Sequence, residues 1–224
     1  ITVCNVPGYS TSAVAQHAFA LLLCLCGNID KYSASVANGD WKRSKSFSYM
    51  PWQTRELSGL TFGVYGYGNI GRRAAQIASA FGMNVIVCTR TPPADCPYEL
   101  VTREEIFARS DVLSLHCPLT EQTKGLVNAH TLSLMKRSAI LINTARGGLV
   151  DEAALAAALN SERIAGAGLD VLAEEPMAKG CPLFKARHTV ITPHIAWIPK
   201  ETRTRLVRAV ANNLKCFIQG HPIN

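Results

Sequence analysis

From residue 60 onward, short runs of β-forming residues alternate with longer segments in which apolar residues recur at helical spacing. The short runs predict six strands, at residues 61–65, 85–89, 112–116, 139–144, 166–171 and 189–192. Five helices are predicted between or after them, at residues 70–81, 103–108, 129–135, 152–159 and 200–219. This alternation is typical of a parallel β-sheet that is covered by helices on both faces.

The first quarter of the chain has a different pattern. An apolar helix is predicted at residues 12–26, extending towards Ala37, and residues 38–58 predict a long irregular connection. The apolar stretch at residues 18–26 is too short for a membrane-spanning helix, which needs about 20 residues. It therefore predicts a buried helix and no membrane partner.

Composition excludes several classes of function. The net charge of +7 comes from dispersed basic residues, which favours solvated faces and excludes a nucleic-acid partner. The eight cysteines form no C-x-x-C pair and stand apart from clustered histidines, so we expect a reducing cytoplasm and no metal site.

The segment VYGYGNIGRR, at residues 64–73, has the pattern G-x-G-x-x-G between a predicted strand and a predicted helix. In that setting, backbone N–H groups and the helix N-terminus can meet the pyrophosphate of a dinucleotide. Gly66 permits the tight turn, Gly68 lacks a side chain where the ligand approaches, and Gly71 lets the helix pack closely on the strand. The pattern predicts a Rossmann-type, doubly wound α/β fold that binds a dinucleotide.

The end of the second predicted strand bears on which dinucleotide is bound. An acidic residue there would bond the ribose 2′-hydroxyl of NAD, but the sequence has Thr89 and Arg90 and no carboxylate. A guanidinium at Arg90 can pair with a 2′-phosphate or stack on adenine, which favours NADP(H). The alternative is that Arg90 lies on the surface and that the protein accepts NAD.

Polar side chains also stand just beyond three later strands, where ligands collect in an open parallel sheet. Arg146 lies in INTARGG, Asp170 and Glu175 lie in GLDVLAEEP, and His194 lies in ITPHIAW. Each alone has a structural explanation, as a helix cap, a turn-forming carboxylate or a strand-end histidine. Together, in this order and at this spacing, they favour one shared site for hydride chemistry.

Several segments, spread along nearly the whole chain, resemble those of one known protein family. They are NVPGYSTSAVAQ, ELSGLTFGVYGYGNIG, LHCPLTEQTKGLVN, LMKRSAILINTARGGLVDEAALAAAL, GAGLDVLAEEP and ITPHIAW. On these segments the sequence resembles the D-isomer-specific 2-hydroxyacid dehydrogenases. The resemblance implies NAD or NADP as cofactor and a small 2-keto or 2-hydroxy acid as substrate.

The resemblance also implies roles for single residues. Arg146 would anchor the substrate, His194 would be the acid/base, and Glu175 would be the partner of His194. The cofactor would meet the glycine turn and residues that follow several strands. These implied cofactor-binding residues are Gly66, Gly68, Asn69, Ile70, Gly71, Thr89, Arg90, Cys117, Thr123, Thr144, Ala145, Arg146, Asp170 and His194.

The residue types suit the reaction. Reduction of a 2-keto acid needs hydride at C2 and a proton on the developing alkoxide, and a histidine beside a carboxylate can hold that proton. An arginine fork can grip the substrate carboxylate and keto oxygen. The remaining histidines are interpreted as structural, surface or packing residues: His17, His116, His130, His188 and His221.

The resemblance also implies a two-domain protein, in which a flavodoxin-like substrate domain accompanies the dinucleotide-binding domain. Residues 1–194 are therefore predicted to form the dinucleotide-binding domain, with an N-terminal helix and loop that serve as hinge and dimer contact. Residues 195–224 are predicted to form a helix that normally belongs to the substrate domain. Because the chain starts at Ile1, where the family crosses between domains, we expect a fragment that binds cofactor but turns over poorly.

The substrate is indicated by Trp197, three residues after the implied catalytic histidine. The segment is similar to the hydroxypyruvate and glyoxylate reductase branch, where an aromatic residue would shorten the pocket; alternatively, Trp197 packs at an interdomain hinge. The leading hypothesis is a cytoplasmic, homodimeric reductase of hydroxypyruvate or glyoxylate. The alternatives are a 3-phosphoglycerate dehydrogenase and a nicotinamide-sensing protein like the C-terminal-binding corepressors.

Overall fold

Seven strands form one parallel sheet in the computed structural model, which describes residues 2–224. In chain order they are Thr61–Tyr65 (β1), Asn84–Cys88 (β2), Glu99–Leu100 (β3), Val112–Leu115 (β4), Ile140–Asn143 (β5), Gly166–Leu169 (β6) and Thr189–Ile191 (β7). The spatial order is β3-β2-β1-β4-β5-β6-β7. The first strand, β1, therefore lies inside the sheet, with β2 and β3 on one side of it and β4 to β7 on the other. The predicted doubly wound α/β fold is confirmed.

Eight helices surround or extend from this sheet in residues 2–224. They are Thr11–Gly27 (α1), Ile29–Ala37 (α2), Asp40–Arg43 (α3), Asn69–Ala80 (α4), Arg103–Arg109 (α5), Ala129–Leu134 (α6), Glu152–Asn160 (α7) and Lys200–Ile218 (α8). Short 3₁₀ turns occur at Gly147–Leu149 and Pro182–Lys185.

Buried side chains form two clusters that sandwich the sheet. One contains residues of α1, α4 and the strands beneath them, including Phe19 stacked on Phe62 with ring centroids 5.4 Å apart. The other contains residues of α5, α6 and α7, among them Phe107 and Leu155. A sheet covered on both faces exposes its carboxyl edge as the place where ligands bind.

The apolar N-terminal segment is two helices rather than one. Asn28 has a left-handed backbone (φ 48°) that ends α1, and its Nδ2 donates to the Gln53 carbonyl at 3.0 Å. Asparagine adopts this conformation more readily than most residues. Within residues 2–224, no single helix is long and apolar enough to span a membrane, and α1 and α2 meet that requirement only as a pair bent by 57°.

Helix α8 leaves most of its surface uncovered. It is tied to the N-terminal segment by hydrogen bonds from Arg205 Nε to the Tyr9 carbonyl (3.0 Å) and from Asn213 Nδ2 to the Asn5 carbonyl (2.9 Å). Its apolar side chains are exposed at Val207, Val210, Leu214, Phe217 and Ile218. A helix that normally packs in a second domain would expose such a face, and the assignment of α8 to that domain stays a prediction.

Candidate active site

The glycine turn joins the end of β1 to the start of α4, and its three glycines have different surroundings. Gly66 has φ +97°, and a β-carbon on it would lie 2.6 Å from the Cys117 backbone nitrogen. A β-carbon on Gly71 would lie 2.1 Å from the Gly66 carbonyl oxygen. At Gly68, by contrast, a β-carbon would meet no heavy atom of the described residues within 4 Å. The first and third glycines thus permit close backbone packing, and the second faces open space.

A cleft of about 830 Å³ lies beside this turn, at the carboxyl ends of β4, β5 and β6. A smaller cavity of about 280 Å³ continues it past Gly68, Asn69 and Ile70, at the N-terminus of α4. Of the residues implicated by sequence, the larger cleft is lined by Ile70, Cys117, Thr144, Ala145, Arg146, Asp170 and His194. The structure thus brings together segments that are up to 124 positions apart in the chain, from Ile70 to His194 (194 minus 70).

Two polar atoms in the cleft wall are buried without a hydrogen-bond partner among residues 2–224. They are Thr144 Oγ1 and His116 Nδ1. Buried polar groups in folded proteins are nearly always paired. An elongated ligand with hydrogen-bonding groups would satisfy them, as a dinucleotide lying along the glycine turn would.

His116 lies at the boundary of the two cavities. Its backbone N–H donates to the Tyr65 carbonyl at 2.8 Å, and its Nε2 lies 2.9 Å from Ser114 Oγ. Burial lowers the pKa of His116 to about 4, so its ring is uncharged at neutral pH. Sequence reasoning interpreted His116 as structural; its place directly after β4, in register with the end of β1, is the signal that it lines the site.

His194 lines the cleft and forms a close pair with Glu175. His194 Nδ1 lies 2.6 Å from Glu175 Oε2, and Glu175 Oε1 accepts the Leu172 N–H at 3.0 Å. Partial burial raises the pKa of Glu175, but the hydrogen bonds from His194 and the Leu172 amide outweigh it, so the pKa is lowered overall. Glu175 is therefore a carboxylate at neutral pH and accepts a hydrogen bond from the ring beside it.

Arg146 lies on a turn whose backbone is held by hydrogen bonds from the side chain of Asn143. The buried Asn143 donates from Nδ2 to the Arg146 carbonyl (2.9 Å) and accepts the Ala145 N–H at Oδ1 (3.0 Å). Gly147 allows the neighbouring chain to approach, because a β-carbon there would lie 1.9 Å from the Leu172 carbonyl carbon. The exposed guanidinium donates to the Ala145 carbonyl at 2.7 Å and has further N–H groups available for an anionic ligand.

Asp170 is buried, with 1% of its surface exposed, and lies directly after β6. Its carboxylate accepts the Thr192 hydroxyl at 2.6 Å and the Ile195 and Ala196 amides at 2.9 and 2.8 Å. Burial raises the pKa of Asp170, but hydrogen bonds from His17, Thr192 and the two amides lower it overall. The carboxylate therefore holds both flanks of His194, and its implied role in binding the cofactor stays a prediction.

Six residues implicated by the sequence lie outside the linings of the two cavities: Gly66, Gly71, Thr89, Arg90, Thr123 and Glu175. Thr89 and Arg90 follow β2, whose last residue, Cys88, accepts the Gly66 N–H at 2.8 Å. Thr123 is used within its own loop, where its hydroxyl donates to the Pro118 carbonyl at 2.7 Å. The geometry thus places Thr89 next to the glycine turn, whereas Thr123 shapes the loop that begins at the cleft wall.

Other lining residues were missed by sequence reasoning. Tyr9 and Ser10 precede α1 and line both cavities, and Val14 on α1 lines the larger one. All three positions lie in the segment NVPGYSTSAVAQ, which carries part of the family resemblance but indicates no role for a single residue. Their proximity to the carboxyl edge of the sheet, which is a tertiary property, makes them part of the site.

Comparison with known protein families matches residues 19–196 to the D-isomer specific 2-hydroxyacid dehydrogenase, NAD binding domain. The chain belongs to this family. The predicted enzyme class, an NAD(P)-dependent oxidoreductase that acts on a CH–OH group, is confirmed with it. The predicted cofactor, NAD or NADP, is also confirmed by the NAD binding domain that the family model describes.

Individual relatives of this 2-hydroxyacid dehydrogenase are longer than the chain itself. A hydroxypyruvate reductase from Blautia hydrogenotrophica is 40% identical over 229 residues, which cover 100% of this chain and 70% of the relative. A glycerate dehydrogenase from Methylorubrum extorquens is 43% identical over 226 residues, covering 100% and 71%. The crystal structure of the TT0316 protein from Thermus thermophilus has a TM-score of 0.91 at 40% identity, covering 100% and 72%.

Proposed function

We propose that this dehydrogenase reduces a small 2-keto acid, hydroxypyruvate or glyoxylate, with His194 as the proton donor. The observation that carries the proposal is the His194–Glu175 pair, 2.6 Å apart, at a cleft that Arg146 also lines. A histidine with a carboxylate partner and an arginine in one cleft is what the reaction requires. The relatives named hydroxypyruvate reductase and glycerate dehydrogenase support the same substrate class.

Each side chain has a defined task in this proposal. Arg146 binds the substrate carboxylate and keto oxygen, which orients C2 and stabilises the charge that develops on oxygen. A reduced nicotinamide, when bound along the glycine turn, would supply the hydride for C2. His194 gives a proton to the resulting alkoxide oxygen, and the Glu175 carboxylate accepts the hydrogen bond that orients the ring for that transfer.

The residues around the glycine turn suit a dinucleotide. The first amides of α4, at Asn69 and Ile70, have no side-chain cap among the described residues and are free to bind phosphate oxygens. Thr144 Oγ1 and His116 Nδ1 would gain the partners that they lack. Asp170 Oδ2 accepts one N–H within residues 2–224 and keeps capacity for the nicotinamide carboxamide.

We expect Thr89→Asp to shift cofactor preference from NADPH towards NADH. A carboxylate beside the glycine turn would accept the ribose 2′-hydroxyl of NADH and repel the 2′-phosphate of NADPH. The ratio of the two Kd values should change by about 10-fold or more, or about 1.4 kcal/mol. Fluorescence titration of both reduced cofactors measures this ratio.

Thr91→Asp is the matched control for that change, because it adds the same charge at an exposed position two residues further along. It should leave the ratio nearly unchanged. A Thr89→Asp protein with the wild-type ratio would contradict the proposed role of Thr89 and Arg90 in cofactor choice.

The small size of the proposed substrate is supported by Trp197, which lines the cleft together with His194 and Arg146. A bulky ring there leaves little room for a long substrate side chain. Oxidation of reduced nicotinamide by the complete protein, followed by absorbance, tests the proposal with hydroxypyruvate, glyoxylate, pyruvate and 3-phosphohydroxypyruvate. Preference for the phosphorylated acid would favour a 3-phosphoglycerate dehydrogenase. Cofactor binding without turnover of any of these acids would favour a nicotinamide-sensing protein.

The domain and assembly proposals have separate support. Residues 1–194 would be the dinucleotide-binding domain and residues 195–224 part of a substrate domain, since α8 exposes its apolar face. A homodimer would cover the apolar side chains exposed before the sheet begins, namely Leu23, Ile29, Val36, Trp41, Phe47 and Met50. A cytoplasmic location is supported by the eight cysteines, which are all free thiols.

A further inference from the structure

His17 is far from the proposed catalytic residues in sequence but contacts two residues next to the turn that carries His194. His17 lies on α1, and its Nε2 is 2.8 Å from Thr192 Oγ1 and 3.3 Å from Asp170 Oδ1. Its side chain is 18% exposed, so it is largely enclosed at this contact. The interpretation of His17 as a surface or packing residue therefore omits a specific polar contact that joins α1 to the site.

The direction of these hydrogen bonds follows from the number of available hydrogens. Thr192 has one hydroxyl hydrogen, which it donates to Asp170 Oδ1 at 2.6 Å. Thr192 Oγ1 must then act as the acceptor towards His17, so His17 Nε2 carries a hydrogen whatever the charge of its ring. The hydrogen bonds therefore run in one direction, from His17 to Thr192 to Asp170.

Asp170 passes this restraint to the turn that carries His194. Its side chain accepts the Ile195 and Ala196 amides, and its backbone carbonyl accepts the His194 N–H at 2.8 Å. His194 has φ +55°, a left-handed conformation that is uncommon for a residue other than glycine. Such a conformation persists when surrounding contacts fix it. Here the surrounding contacts converge on Asp170.

We infer that His17 is a positioning residue, which acts through Thr192 and Asp170 to hold the His194 turn in the orientation that pairs His194 with Glu175. The inference rests on the proposed role of His194 as proton donor. His17 itself lies beneath the turn and would not contact the substrate. A change of orientation near a reacting group lowers the rate of the chemical step more than it lowers ligand binding.

Paired substitutions in the complete protein test this inference. His17→Leu and Thr192→Val remove the hydrogen bond, whereas His17→Gln and Thr192→Ser keep a donor and an acceptor at these positions. We expect the first two to lower kcat by about 10-fold to 100-fold, with the Kd for NAD(P)H within about twofold. We expect the second two to restore most of kcat. The kcat of the double variant His17→Leu/Thr192→Val should be no lower than that of the less active single variant, because both changes break the same chain of hydrogen bonds.

The control is His130→Leu, on the exposed surface of α6, which should keep wild-type kcat. Additive losses in the double variant, or equal losses in His17→Leu and His17→Gln, would overturn the inference. Nitrogen-15 NMR of the imidazole rings gives a readout that does not depend on turnover. Nε2 of His17 should be protonated, and the His194 ring signals should shift in His17→Leu but not in His17→Gln.

The NMR result separates the two proposals. If none of the keto acids is reduced, the proposed function fails, yet a protonated His17 Nε2 and a shifted His194 ring would still support the positioning contact. An unprotonated Nε2 in the wild-type protein would overturn the positioning role even in an active enzyme. If His17→Leu does not fold, Thr192→Val and the wild-type ring spectrum still decide the question.

Discussion

Replacing His194 with Ala is expected to lower kcat for keto-acid reduction by about 10²-fold to 10⁴-fold, the usual contribution of a positioned acid/base. The side chain pairs with Glu175 at 2.6 Å and lines the cleft, whereas the dinucleotide would be held mainly by the glycine turn. The Kd for NAD(P)H should therefore stay within about threefold of the wild-type value. Steady-state kinetics and cofactor fluorescence titration measure the two quantities separately.

Glu175→Gln is the companion variant, because it keeps the size of the partner but removes its charge. It should lower kcat less than His194→Ala does, since the proton donor remains and only the negative charge of its hydrogen-bond partner is lost. His221→Ala, at the exposed C-terminus, is the control. If His194→Ala reduced cofactor affinity and kcat by the same factor, His194 would be a structural residue and the proposed mechanism would be wrong.

The fold was largely predictable because local pattern and turn chemistry agree along most of the chain. The capping box at the start of α5 is an example: Thr102 Oγ1 accepts the Glu105 N–H, and Glu105 Oε2 accepts the Thr102 N–H. Strand β3 was missed, because two exposed residues at a sheet edge have too little hydrophobic pattern to reveal it. The bend between α1 and α2 was missed because it depends on the backbone of one asparagine.

The residues of the site likewise divide into those that local sequence indicates and those that only tertiary packing brings there. Arg146, Glu175 and His194 stand in recognisable segments at strand ends, so the sequence indicates them and the structure brings them to one edge of the sheet. His116 also lies at a strand end and lines the cleft, whereas His17 carries no such signal. The contact between His17 and Thr192 spans 175 residues and depends on how α1 packs against the sheet. A property of tertiary packing cannot be read from the spacing of residues in one segment.

The three glycines of the turn are expected to fail in two different ways when each is replaced by Ala. In Gly66→Ala and Gly71→Ala, the new β-carbon would lie 2.6 and 2.1 Å from backbone atoms, so the strand or the turn must move. We expect each to lose about 3 kcal/mol of unfolding free energy or more, as in severe overpacking. In Gly68→Ala, the backbone (φ −81°) suits alanine and the β-carbon enters open space. Its stability should stay within about 0.5 kcal/mol of wild type.

Among the variants that stay folded, Gly68→Ala should lose the most cofactor affinity, although it loses the least stability. The open space at Gly68 is where phosphate groups would approach the first amides of α4, so a methyl group there should weaken NAD(P)H binding by about 10-fold or more. Urea unfolding gives the stabilities, and fluorescence titration gives the Kd values. A Gly68→Ala protein that binds NAD(P)H as wild type would show that the phosphates lie elsewhere. A stable Gly71→Ala protein would show that α4 does not pack on β1 as closely as described. Stability and affinity thus test separately the two roles that one short turn combines.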